Sequence, residues 1–170
     1  MKRSKIIGSI IFWLLTAAVM YIIFSFSSET GEQSKEVSEG VLSIIIEYLG
    51  NIVSHNVLRK IAHFTEYAAL GFCMSGAICF TFSKNKFDIP LIPCVLFAVS
   101  DEIHQYFVPE RACRVFDVFV DSCGSSVGIL IFLLIVFLIR KHKKQKVSFH
   151  EIDNSLFYCF IFCLSRQRAL

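Results

Sequence analysis

Residues 6–26, IIGSIIFWLLTAAVMYIIFSF, run without a single charged side chain. About 20 such residues suffice to cross the hydrocarbon core of a bilayer as a helix. In lipid the backbone N–H and C=O groups must be satisfied within the segment, so this run has one conformation open to it. The preceding MKRSK has the form of a signal peptide's basic region. The apolar run, however, exceeds the roughly 7–15 residues of a signal core, and no Ala-x-Ala site follows it. A retained membrane helix is expected.

The rest of the chain repeats the pattern. A second span is expected from near Arg59 to near Phe82, followed by a tight turn, SKNKFD, with two lysines. A third runs from about Ile89 to Phe107, with Pro90 in its first turn, where a missing N–H is harmless, and Pro109 as its stop. A fourth runs from about Phe116 to Ile139 and is ended abruptly by RKHKKQK. Between the first two spans, VLSIIIEYLGNIV (Val41 to Val53) is too short to cross and contains Glu47. It reads as an amphipathic segment lying in the interface. The composition agrees: 55% of the 170 residues are hydrophobic and 18 are Phe, more than a soluble chain of this size can cover. The expectation is an all-α integral membrane protein with four transmembrane helices and that interfacial segment. One membrane domain occupies residues 1–146. The tail, residues 147–170, is left unassigned, because its nine-residue apolar run LFYCFIFCL cannot span.

Lysines and arginines give the orientation, because cytoplasmic loops carry an excess of them. MKRSK, SKNK and RKHKKQK fall on one side of a four-span chain. A multi-pass protein of the cell membrane with both termini cytoplasmic follows. Membrane lipids are the expected partners, and no nucleic acid is. Arg59, Lys60, Arg111 and Arg114 fall on the outer side, against the trend, which points to a task for them there. Cys73, Cys79, Cys94 and Cys123 sit in apolar runs, where cysteine serves as a small hydrophobe; no Cys-x-x-Cys pair occurs among the seven cysteines.

The ionisable residues gather at one depth. His63 and Glu66 lie in the first turns of span two, Asp101, Glu102, His104 and Gln105 in the last turns of span three, and Asp117 and Asp121 in the first turns of span four. Arg59, His63, Glu66 and Tyr67 share a helical stripe, as do Asp101, His104 and Gln105. Gly124 and Gly128 continue the Asp117–Asp121 face in a Gly-x-x-x-Gly spacing suited to close helix approach, and Gly71 suits the same purpose. An Asp at a helix centre costs about 2.5–3.5 kcal/mol on insertion scales, so several acids at this depth need compensation.

The segments RKIAHFTEYAALG and SDEIHQYFVPERACRVFDVFVDSCGSSVG resemble the VanZ-like family of bacterial membrane proteins, as does the upstream FSFSSETGEQS. The likeness extends from about Ser25 to Gly128. It puts Lys60, His63, Phe64, Glu66, Tyr67, Asp101, Glu102, Gln105, Pro109, Arg111 and Asp117 on motif positions. Glu110 stands where the family carries Gly, and Asp121 where it carries Asn. The family's name comes from a protein associated with teicoplanin resistance, so the resemblance implies an envelope protein with a possible bearing on glycopeptide tolerance, without supplying an activity.

The functional expectation is a polar site facing the outer leaflet that binds or acts on an anionic lipid or a lipid-linked glycan. If it is catalytic, His63, Glu66, Asp101, Glu102 and Asp117 are the candidate proton-transfer residues, His63 because its pKa is near neutral. Lys60, Tyr67, Gln105 and Arg111 are the candidate substrate contacts, the cations holding an anion by charge-assisted bonds. No Gly-x-Ser-x-Gly, His-Glu-x-x-His or phosphate loop occurs, so catalysis is left open and no cofactor is identified. Asp-Glu-Ile-His offers metal ligands at i and i+3, and His63 and His104 could converge with acids, but no metal site is assigned. The competing reading is structural, with the polar residues holding the helices together. A transporter is disfavoured by four spans with no internal repeat.

Overall fold

A computed structural model of the chain describes residues 3–30, 32, 55–82, 86–111 and 114–145. The interfacial segment expected at 41–53, part of the SKNK turn, Cys113 and the 147–170 tail lie outside the described residues. Among the described residues the fold is all-α, with four helices: α1 (Arg3–Ser27), α2 (His55–Phe82), α3 (Asp88–Tyr106) and α4 (Val115–Gln145). Three of the expected spans agree with these bounds to within a few residues. Pro90 is the third residue of α3. The fourth helix differs: it continues through the basic run to Gln145. Lys and Arg are good helix formers and favour the negative end of the helix dipole, so a charge run that leaves lipid need not end a helix.

The helices alternate in direction. Ser9 of α1 hydrogen-bonds Thr81 of α2 at 2.7 Å, and Trp13 Nε1 donates to the same Thr81 hydroxyl at 3.0 Å. At the opposite end Arg59 of α2 reaches Gln105 of α3, and Lys60 of α2 reaches Asp117 of α4. The start of α1 and the end of α2 therefore share one end of the bundle. The starts of α2 and α4 share the other with the end of α3. Helix α2 is central, packing most extensively on α4 and α1, with α3 closing against α4 and α2.

The α2–α4 crossing is set by glycine. A methyl group on Gly71 would collide with the Ser125 carbonyl, one on Gly124 with the Phe64 carbonyl, and one on Gly128 with the Ala68 carbonyl. Backbone thus lies directly on backbone, as the Gly-x-x-x-Gly spacing requires. An apolar core surrounds this contact, with Ile23, Tyr67, Leu70, Met74, Ile78, Cys94 and Ala98 on the polar side and Phe80, Phe132 and Val136 toward the other end. Cys94 in that core is the small hydrophobe expected.

Polar and charged residues are buried beside that apolar core, and large apolar side chains are left outside. Asp101, Glu102, Gln105, Asp121, Ser27 and Ser125 are buried, while Leu14, Tyr21, Ile92, Leu96, Phe119, Leu134 and Phe137 are exposed. Soluble monomers rarely leave apolar surface on this scale uncovered. Helices α1 and α4 contain segments long and apolar enough to cross a membrane, Lys5–Ser27 and Val115–Lys141.

Candidate functional site

The polar residues expected from the sequence do converge, at the end of the bundle formed by the starts of α2 and α4 and the ends of α1 and α3. They form two layers. Gln105 is the hub of the outer one and is fully buried. Its amide oxygen accepts from Arg59 Nη2 at 3.2 Å. Its amide nitrogen donates to Ser27 Oγ at 3.0 Å and to Asp101 Oδ2 at 3.1 Å. One side chain thereby ties α1, α2 and α3 together. Lys60 Nζ lies 3.5 Å from Asp117 Oδ1 and 4.2 Å from the centre of the Phe116 ring, joining α2 to α4.

Arg111, in the turn after α3, donates from Nη2 to the Phe26 carbonyl at 2.8 Å. Its Nε and Nη1 are buried without acceptors. Burial and the neighbouring Arg59 charge both act against its own charge and lower its pKa. Glu29, Asp101 and Glu102 act in the opposite sense without outweighing burial, and none of them accepts a hydrogen bond from Nε or Nη1. The turn that presents it has Glu110 at φ 60°, a left-handed conformation that glycine adopts freely and glutamate does not. Glu110 therefore occupies a glycine-type backbone position, exposed and strained.

The inner layer lies one turn deeper on each helix. His63 is four residues in from Arg59, Asp101 four in from Gln105 and Asp121 four in from Asp117, about 6 Å along each axis. Ligand-capable atoms of His63, Asp101 and Asp121 all lie within 4.8 Å of one another. Asp101 and Asp121 are buried and His63 partly so. His63 Nδ1, Asp101 Oδ1 and both Asp121 oxygens have no hydrogen-bond partner.

Not every expected residue joins these layers in the same way. Glu102 accepts from the backbone N–H of Arg114 at 2.9 Å, at the threshold of α4, where a carboxylate satisfies an otherwise orphaned donor. Glu66 is half-buried, with Asp101 and Arg111 as its strongest charged neighbours. Tyr67 is fully buried one turn below His63. Its hydroxyl approaches Asp101 without closing a well-formed hydrogen bond. His104 turns away from His63: its Nε2 pairs with Ser28 Oγ at 3.1 Å and its ring stacks on Phe24 at 4.6 Å.

Three residues matter more than the sequence suggested. Arg59 was legible as a member of the His63 stripe and as a cation on the outer side, but not as the partner of Gln105. Ser27, just past the first apolar run, drew no site assignment from the sequence, yet it is fully buried and bonded to Gln105. Asp121 reads as a departure from a motif, yet it completes the inner layer.

The family model for VanZ/LLP1 matches residues 12–137, about three quarters of the chain. The chain belongs to the VanZ/LLP1 family. That match takes in most of α1 and α4, all of α2 and α3, and with them every residue of both polar layers. No curated protein and no solved structure matches the chain. VanZ/LLP1 membership and the apolar helices together make this a membrane protein.

Proposed function

We propose that the chain crosses the membrane four times and that its outer polar layer holds the anionic head group of an envelope lipid or lipid-linked glycan. The single observation that carries this is Arg111. Its Nε and Nη1 are buried with their hydrogens unmet, the Arg59 charge acts on it, and a strained turn presents it. Membrane proteins seldom retain such groups without a partner, and a phosphate or carboxylate supplies the acceptors a guanidinium requires.

Four crossings are supported by where α3 keeps its apolar surface. Its exposed residues Ile92, Leu96, Val99 and Ile103 form one stripe, while Asp101, Glu102 and Gln105 are buried on the opposite side. A mean over its composition hides that division. Helix α2 is enclosed by the other three and needs fewer apolar residues. With MKRSK and RKHKKQK at the opposite end of the bundle from the site, the positive-inside rule puts the termini in the cytoplasm and the polar layers outside. Glu102 and Gln105 serve assembly in this arrangement and Lys60 is paired with Asp117, whereas Arg111 and His63 keep unmet polar atoms for a ligand. A site of this kind fits the family name's link to teicoplanin resistance, and loss of the head group is expected to lower such tolerance.

The test is lipid retention by the full chain purified in mild detergent and read by mass spectrometry. Wild type is expected to keep an anionic lipid that Arg111→Ala retains roughly tenfold less, the loss of one charge-assisted contact of about 1.4 kcal/mol. Equal retention by wild type, Arg111→Ala and Lys60→Ala rejects the anion site. Lipid profiles of whole cells separate binding from chemistry. A lipid species that depends on the protein and disappears in His63→Gln, with retention intact, assigns His63 a proton-transfer role.

A further inference from the structure

The inner layer poses a different problem from the outer one. Asp121 is 1% exposed, and neither of its oxygens has a hydrogen-bond partner. The charges acting on it most strongly are all carboxylates: Asp101, Glu102, Asp117 and Glu66. Asp101 shares one oxygen with Gln105 and leaves the other unbonded. Lys60 and Arg59 are engaged one turn outward, with Asp117 and Gln105. Two buried carboxylates side by side, with an imidazole nitrogen left bare between the same helices, thus share a single hydrogen bond, the one from Gln105 to Asp101. Independently of these three, the fully buried Tyr67 hydroxyl approaches Asp101 from one turn deeper on α2 without closing a well-formed hydrogen bond.

We propose that His63, Asp101 and Asp121 hold a divalent first-row metal ion, with zinc the best match. One imidazole and two carboxylates are a three-ligand set that zinc accepts while keeping a fourth position open. Bonds of about 2 Å from a common ion put ligand atoms roughly 3.3 Å apart. The present atoms lie within 4.8 Å of one another, so side-chain rotations of about an ångström bring them to bonding distance. The three ligands come from three helices already fixed by the glycine crossing and by the Gln105 hub, and this is the rigid support a metal site requires. Tyr67 would serve as the outer partner that orients Asp101. Asp121 is the decisive ligand: an amide at this position would weaken the set, and this chain has an acid.

The ion belongs to the inner layer and does not rest on the anion reading of the outer one. An anion held by Arg111 could still lend an oxygen to the open position.

The experiment uses the full chain, purified in detergent, stripped with a chelator, dialysed against zinc(II) and measured by elemental mass spectrometry. Wild type is expected to retain about one equivalent, and His63→Ala and Asp121→Asn less than about a tenth of that. Arg111→Ala is expected to keep the metal while losing the lipid, which separates failure of this proposal from failure of the anion site. Should either ligand variant fail to fold, X-ray absorption at the zinc edge of wild type decides alone. A shell of nitrogen and oxygen with a single imidazole supports the site. A sulfur-containing shell, no retained zinc, or unchanged retention in the folded variants overturns it and leaves the carboxyls to be neutralised by protons.

Discussion

At the scale of single residues, Glu110 and Asp121 stand in opposite situations. Glu110 occupies a backbone position shaped for glycine, at φ 60° and exposed. A left-handed conformation costs a side-chain-bearing residue about 1–2 kcal/mol, and the greater freedom of unfolded glycine returns up to about 1 kcal/mol of that. Glu110→Gly is therefore expected to raise the melting temperature in detergent by about 2–4 °C per kcal/mol gained. A fall would mean that Glu110 makes a stabilising contact the turn does not reveal. Asp121 is the opposite case, buried where its charge is least welcome, and only its neighbours explain it. The stripe Arg59–His63–Glu66–Tyr67 was legible because helical spacing alone puts those residues on one face. Nothing in spacing says that Gln105 would bridge three helices or that Ser27, at the end of an apolar run, would be its partner. Those facts depend on how helices far apart in sequence approach one another.

At the scale of the element, α1 and α4 were legible because each contains an apolar run of spanning length, and in lipid a helix satisfies its own backbone hydrogen bonds. Their ends were less so. The fourth helix persists six residues past the expected limit because lysine and arginine are compatible with helix even where they are incompatible with lipid. The crossing of α2 and α4 was legible in outline from Gly124, Gly128 and Gly71, and its geometry yields a strong prediction. Gly128→Leu puts a side chain into the Ala68 carbonyl, which no rotamer relieves. It should destabilise the bundle by at least about 3 kcal/mol and shift the protein from a single size-exclusion peak to aggregate on mild heating. Leu134→Ala, on the exposed face of the same helix, should change stability by no more than about 0.5 kcal/mol. Equal effects of the two would contradict the packing described.

At the scale of the whole molecule, polar groups inside, apolar groups outside and glycine at the tightest crossing describe a fold whose solvent is lipid. The polar layers occupy one end only, and the basic residues at the start of α1 and the end of α4 belong to the other. Every functional statement depends on which end faces the cell exterior, and the measurement that bears on it most directly is side-specific labelling. In a variant lacking the native cysteines, single cysteines are introduced at Ser34, between the first two helices, and at Lys144, in the final turn of α4. A thiol reagent that cannot cross the membrane is then applied to intact cells. The account predicts that Ser34→Cys is labelled from outside and that Lys144→Cys is labelled only after the membrane is opened. Labelling of Lys144→Cys in intact cells, with Ser34→Cys protected, would put the arginines and the His63 layer on the cytoplasmic side and contradict the account.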